Sequence, residues 1–392
     1  MQKLLLLLFC AGALRAETAL VLPFFNQSKA GNLDWIGESI AESVRDSLAS
    51  EGLLVLGRED RLEAYRRLSL RPGAEITHAS VFKIGVSLDA SKVIYGSYEF
   101  IAAEPGNTQS KGSLRITARV LDVKGSRQGK QFSEVGSLED LGTLQNHLGW
   151  QTLAAVNPKK APAEQTFMIA RPAVRLDAVE SYVRGLLATS AEQRHRYFTQ
   201  AARLDEHFSQ PCFQLGKASW EQKDYRVAAG WLERVARTDP HYLEAQFFLA
   251  LCKYSNGDLK AAEQSFQTVV TSVPLNEAFN NLGVVQAQRG DYTSAVASFR
   301  KALEGDDADP DYHFNLGSAL WRSGQYNTAA ESFRAALARK SDDAEATEML
   351  GRALKQQGPR PGETRQEAKP RVKTNYEEQA YRQLQAELGL KR

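Results

Sequence analysis

Apolar and small positions in the second half of the chain recur with a long, fixed period. A leucine followed by a small residue stands at Leu215-Gly216, Leu249-Ala250, Leu282-Gly283, Leu316-Gly317 and Leu350-Gly351. Each of the first four is followed by an alanine (Ala228, Ala262, Ala295, Ala329), then by a large apolar residue (Leu232, Phe266, Phe299, Phe333). A third packing position closes each unit at Val235, Val269, Ala302 and Ala336. The period is about 34 residues, the length of a stacked helical hairpin. Between the two blocks lie Lys223-Asp224-Tyr225, Gly257-Asp258-Leu259, Gly290-Asp291-Tyr292 and Gly324-Gln325-Tyr326. Glycine ends a helix in the left-handed conformation, and aspartate caps the free N–H groups of the next one. Pro240 and Pro274 close second helices, and Asp309-Pro310 reads as a cap followed by a first-turn proline. The expected units are 209–242, 243–275, 276–309 and 310–343, with a partial unit at 344–356. A degenerate hairpin is expected at 174–208, built on Tyr182, Gly185 and Ala188, then Phe198, Ala201 and Leu204.

The physics of this pattern is close packing. Small residues on the first helix let the second approach, and one hairpin cannot bury its apolar face alone, so hairpins stack. In this the sequence resembles the tetratricopeptide repeat family. The resemblance implies a solenoid whose first helices line a concave groove. The stripe opposite the packing face then reads Gln210, Phe213, Gln214, Lys217 and Trp220 in the first unit, and Glu244, Phe247, Phe248, Leu251 and Tyr254 in the second. It continues as Glu277, Asn280, Asn281 and Val284, then Asp311, Phe314, Asn315, Ser318, Trp321 and Arg322. Asn281 and Asn315 fall at equivalent places in successive units. An amide both donates and accepts, so such a ladder suits the backbone of an extended peptide. The candidate groove residues are therefore Phe213, Gln214, Lys217, Trp220, Phe247, Phe248, Tyr254, Asn280, Asn281, Phe314, Asn315, Trp321 and Arg322.

The first half has a different rhythm. Ala19 to Phe25 is a short, nearly continuous apolar run, read as a buried strand. Ile36, Ile40, Val44 and Leu48 give Leu33 to Ser50 a helical stripe. A strand at Leu53 to Leu56, a helix at Arg61 to Leu68 and a helix around Phe82, Ile84 and Val86 follow. Val93 to Ile101 and Leu114 to Val123 alternate as strands, and Leu138 to Val156 closes the unit as a helix. Alternating elements followed by an antiparallel hairpin argue for a mixed α/β layer domain at 17–156. The fold class expected overall is thus α/β, a mixed-sheet layer domain, followed by an all-α tetratricopeptide solenoid. The VLPF run, the VIYGSY strand and the LRITARVLDV strand together resemble the TolB amino-terminal-like domain, related to CsgG- and FlgO-like envelope proteins. That resemblance implies a cell-envelope protein of a diderm bacterium and brings no catalytic residues with it.

Residues 1–16 fit this setting. Lys3, an apolar run from Leu4 to Phe9 and small residues before Ala16 read as a secretory signal peptide, too short to span a bilayer. The chain's 49 basic and 47 acidic residues come into balance once Lys3 and Arg15 leave with that leader. A neutral chain offers no overall electrostatic case for nucleic acid. Cys212 and Cys252 are expected as buried thiols not bonded to one another. Linkers are expected at 157–173 and 357–373, and an amphipathic helix at 374–392. That helix would be capped by Asn375 with Glu378 and striped by Tyr376, Tyr381, Leu384 and Leu388. His78, His147, His195, His207, His241 and His313 form no metal-ligand spacing. The glycine-bounded GNTQSKG stretch, 106–112, reads as a hairpin loop, and Asn26-Gln27-Ser28 is a glycosylation sequon of no weight in a bacterium. The acidic pairs Asp306-Asp307 and Asp342-Asp343 read as solvated. The expectation is a non-enzymatic scaffold with no cofactor and no metal. It would be exported and periplasmic or envelope-associated, with no transmembrane span, and would bind a protein or peptide in the groove. The alternative is an accessory part of a secretion or polysaccharide-export apparatus, acting through the α/β domain.

Overall fold

The computed structural model describes residues 18–28, 31–102, 112–360 and 367–388. The amino-terminal unit holds β1 (Thr18–Val21), β2 (Phe25–Asn26), α1 (Trp35–Ser50), β3 (Leu54–Val55), α2 (Arg58–Arg67) and α3 (His78–Ser87). It continues with β4 (Lys92–Ile101), β5 (Ser113–Asp122), β6 (Arg127–Ser137) and α4 (Leu141–Val156). Among the described residues the strand order is β3-β1-β4-β5-β6, with β2 also on β4. β1 pairs in parallel with β3 and β4, whereas β4, β5 and β6 form antiparallel pairs. The apolar run from Ala19 to Phe25 is two strands rather than one, divided at Pro23, which has no N–H for the ladder. Helices cover both faces. Ile36, Ile40 and Val44 of α1 and Leu141 and Leu148 of α4 pack with Ile94, Ile116 and Ala118. Ala64, Tyr65, Val81 and Ile84 of α2 and α3 pack with Leu20, Val93 and Leu121 on the other side. β6 was missed by the sequence reading because it is mostly exposed and polar, and carries no alternating apolar signal.

The stretch 157–173 is packed rather than a free linker. It contains α5 (Glu164–Ile169), whose Phe167 is buried with the Arg171 guanidinium 3.7 Å above its ring. Pro162 accepts a hydrogen bond from the Trp150 indole at 3.0 Å. The GNTQSKG loop lies, except for Gly112, outside the described residues.

The helical hairpins follow: α6 (Leu176–Leu187) with α7 (Ala191–Leu204), α8 (Gln210–Glu221) with α9 (Tyr225–Leu232), and α10 (Tyr242–Ser255) with α11 (Leu259–Ser272). Next come α12 (Asn276–Gln288) with α13 (Tyr292–Gly305), α14 (Pro310–Arg322) with α15 (Tyr326–Arg339), and α16 (Ala344–Leu354). The turn chemistry works as the spacing predicts. Gly257, Gly290 and Gly324 have φ near +80°, and Lys223 takes the same left-handed place in the first unit. Asp224, Asp258 and Asp291 each accept the capping N–H of the following helix. A methyl group on Gly283 would lie 2.7 Å from the Phe299 ring, so this contact requires glycine. α6 and α7 pair as a hairpin in which Tyr182 and Phe198 meet at 5.7 Å, with Ala188 just past the end of α6. One apolar core runs from the sheet through α1, α4 and α6 into the first repeats, so the halves are fused rather than strung together. The final helix, α17 (Glu378–Leu388), starts later than expected. Asn375 is exposed and Glu378 pairs with Arg382 instead of closing a capping box. No helix among the described residues is long and apolar enough to cross a membrane.

Candidate functional site

The groove formed by α10, α12, α14 and α16 is occupied by the chain's own carboxy-terminal segment. Residues 367–376 run back along it, against the order of the repeats. Asn315 on α14 donates to the Arg371 carbonyl and accepts from the Arg371 N–H, both at 2.8 Å. One repeat earlier, Asn281 on α12 donates to the Lys373 carbonyl at 2.7 Å and accepts from its N–H at 2.8 Å. Positions two apart on an extended chain face the same way, so two asparagines a repeat apart grip alternate residues of one strand. Asn280 ties the pair together. It donates to Asn281 at 3.2 Å and to the Arg371 carbonyl at 3.0 Å, and accepts from Asn315 at 2.8 Å. All three amides are buried, and all are satisfied by the tail or one another. Ser318 donates to the Ala368 carbonyl at 3.0 Å and Arg322 to that of Glu367.

Side chains add selectivity. The Arg371 guanidinium lies 3.6 Å above the Phe314 ring. Asp343 receives two of its N–H bonds, at 2.5 and 2.9 Å, and Asp311 a third at 3.1 Å. Lys373 sits 2.7 Å from both Asp309 and Asp311. Arg371's hydrogen bond holds the Asp343 carboxyl below the usual carboxylate range. Burial alone would raise Asp311, but Lys373 and Arg371 outweigh it and hold that carboxyl low as well. The reading of Asp342-Asp343 as a solvated pair therefore fails at Asp343, which is buried, caps α16 through the Ala346 N–H and binds Arg371. The segment 357–373, expected as a linker, contains most of the groove's occupant, residues 367–376.

The aromatic candidates divide. Phe247 and Phe248 meet Tyr376 at 5.0 and 6.2 Å, and the Tyr376 hydroxyl donates to Glu244 at 2.6 Å. Burial alone would raise the Glu244 carboxyl, but His241 beside it, with the Tyr376 hydrogen bond, brings it down to about 2. Trp321 is fully buried, donating to the Gln357 carbonyl at 2.7 Å. Phe213 instead stacks on His241 at 4.6 Å, while Trp220 and Lys217 pack on Phe248. Tyr254 accepts from Gln288 at 2.7 Å. Those four hold the groove wall together rather than the tail, and Gln214 is half-buried beside them. Asp309, Asp343 and Glu345, which meet Lys373, Arg371 and the Lys369 N–H, were missed as groove residues, because they lie at helix starts where acids ordinarily serve as caps.

The family profile described as tetratricopeptide repeat matches residues 213–277 and 314–358, and one described as TPR repeat matches 283–324. Residues 213–358 are tetratricopeptide repeats. No curated protein matches the chain as a relative. Among solved structures, YrrB, described as a TPR protein with an unusual peptide-binding site, is 18% identical over 46% of this chain and 88% of its own, with a TM-score of 0.38. MamA from Desulfovibrio magneticus RS-1 is 24% identical over 44% of this chain and 100% of its own, with a TM-score of 0.39. In the tetratricopeptide repeats here, the packing positions build the stack and the opposite stripe is free to carry binding chemistry. Among the described residues, no group of three or more histidines, cysteines or acids is placed to hold a metal ion.

Proposed function

We propose that this chain is a non-enzymatic scaffold of the cell envelope that binds a protein partner by laying an extended segment of it along the repeat groove. The observation that carries the reading is the double clamp, in which Asn281 and Asn315 each take both backbone groups of one residue of an extended strand. Such contacts are indifferent to side chains, so they suit any extended segment. The envelope setting rests on the leader-like residues 1–16 and on the resemblance of the first half to TolB-type domains. The test is cross-linking in cells with three full-length chains. In a chain whose own tail is loosened by Arg371→Glu with Lys373→Glu, adding Asn281→Ala with Asn315→Ala should weaken partner capture by about 1–3 kcal/mol through buried groups left unpaired. Ala295→Leu, the control, should destabilise the helix stack by about 1–3 kcal/mol through overpacking. Normal capture by the double asparagine variant sinks the groove reading. Mass spectrometry of the envelope fraction should find Glu17 as the terminus; a full-length cytoplasmic species counts against export.

A second reading has one observation in its favour. β6 is an edge strand of 11 residues with Val135 59% exposed, a surface open to strand addition. On that reading the α/β domain joins a secretion or export apparatus. Capture lost in Val135→Asp but kept in the asparagine variant would select it.

A further inference from the structure

We propose that the groove recognises an extended basic segment of another protein with the pattern Arg-x-Lys-x-x-Tyr. Its own tail, carrying that pattern at Arg371, Lys373 and Tyr376, holds the site as a tethered occupant that such a partner displaces. The proposal rests on the groove reading above and goes beyond it by naming the partner's chemistry and the competitor.

Three features carry it. First, the site for Arg371 is built for a planar cation. The guanidinium stacks on Phe314 while Asp343 takes two of its N–H groups and Asp311 a third. A lysine ammonium can match neither the fork nor the flat stack. Lys373 meets a point-charge site between Asp309 and Asp311, and Tyr376 closes the pattern against Phe247 with its hydroxyl on Glu244. Second, the tail's backbone is held by side chains of the solenoid rather than by helix or sheet of its own. Every one of these bonds can be remade by an incoming strand, so exchange replaces bond for bond.

Third, the latch beyond the tail is slight. α17 has 11 residues, and Tyr381 is its one buried side chain. It leans on the α/β domain near β3, with Arg382 bonded to Asp60 at 2.8 Å. A helix of this length is marginal by itself, so α17 depends on the strand that delivers it. A short tether gives the tail an effective concentration of about millimolar. A free segment with equal contacts displaces the tail only at about that concentration, so an effective partner must bind more tightly than the tail does. Occupancy in cis therefore sets a threshold that weakly matching basic segments do not pass.

The test uses the full chain and a labelled synthetic peptide of residues 367–376. Arg371→Glu with Lys373→Glu in the full chain weakens the competitor, and peptide affinity should rise at least tenfold over the native chain. A peptide with lysine in place of its arginine should bind the same variant about tenfold more weakly. Equal affinity in both chains, abolished by Asn281→Ala with Asn315→Ala, overturns the tethered competitor and leaves the groove reading intact. No binding to either chain, although the variant's α12 and α14 amides exchange faster, overturns both. Hydrogen exchange on the native chain gives a reading without any variant. Excess peptide should speed exchange at the Arg371 and Lys373 amides, and unchanged rates make the tail a permanent strap. A dimer of the native chain that disappears in the Arg371→Glu, Lys373→Glu variant would assign the segment to a second copy instead and overturn the partner.

Discussion

Just before the repeat leucine, the first helices carry Gln214, Phe248, Asn281 and Asn315, and one place earlier Phe213, Phe247, Asn280 and Phe314. The early half of the groove, α8 and α10, spends these places largely on rings that meet one another: Phe213 on His241, Trp220 on Phe248, Phe248 on Phe247. The later half, α12 and α14, spends them on three linked amides, ringed by Asp309, Asp311 and Asp343. The backbone framework is the same in both halves, because the packing stripe is the same. The groove stripe is thus free of the fold's demands. Where it is aromatic it closes on itself and adds to the core. Where it is amide and acid, it needs a strand with backbone groups and positive charge to be satisfied.

The contrast can be broken at its aromatic end first. Phe247 is buried between Phe248, Phe266 and Tyr376. Phe247→Ala should cost about 3–5 kcal/mol of folding stability in a urea titration. A cost no greater than that of Asn281→Ala would mean that the two halves do not differ in kind.

The acidic end is sharpened by Asp343→Asn, which keeps a good helix cap for α16 but removes the charge that meets Arg371. Global stability should barely change, while the hold on the tail should weaken by about 1.5–3 kcal/mol, the range for hydrogen bonds to charged groups. Limited proteolysis between Glu367 and Tyr376 would report it; unchanged tail protection refutes the charge clamp. The pH dependence follows from the same carboxyls. Asp343 and Asp311 have their folded pKa values lowered. Their contribution is complete above the ordinary aspartate pKa of about 4 and is lost as pH falls through the lower folded values. The tail should therefore stay protected from neutral pH down to about 4 and come loose below it. Loosening that begins near pH 6 would point to another group.

The smallest effect concerns Cys212 and Cys252, both buried in the early half. Burial pushes the Cys252 thiol up to about 12 and raises Cys212 as well. Thiol reagents should modify the native chain slowly at pH 8, whereas the unfolded, unreduced chain without residues 1–16 should show two reactive thiols, Cys10 having left with the leader. Rapid native labelling would mean that the aromatic half opens readily.

The repeats, their turn glycines, the aspartate caps and the degenerate first hairpin were legible in the sequence, because periodic packing writes a periodic signal. So was the layered α/β class; Asn281 and Asn315, singled out in the sequence as backbone-binding amides, hold the backbone of the chain's own tail. Hidden from the sequence were β6, whose edge position lets polar residues stand where alternation would otherwise show, and α5, held in place by Phe167 against Arg171 rather than by a pattern of its own. The tail was hidden for a deeper reason. Pro370, Arg371 and Lys373 look like solvated linker, since an extended strand without partner strands has no periodicity to betray burial. What makes Arg371 a ligand is Asp343 and Phe314, which are 28 and 57 residues away in the chain and reach it only across the folded groove. Local pattern is enough to determine which segments are helices and how they stack, because those choices are made by neighbours one turn or one hairpin apart. The groove's occupant was decided only by the tertiary structure, because charge and hydrogen-bond pairing act through space and leave no spacing in the sequence.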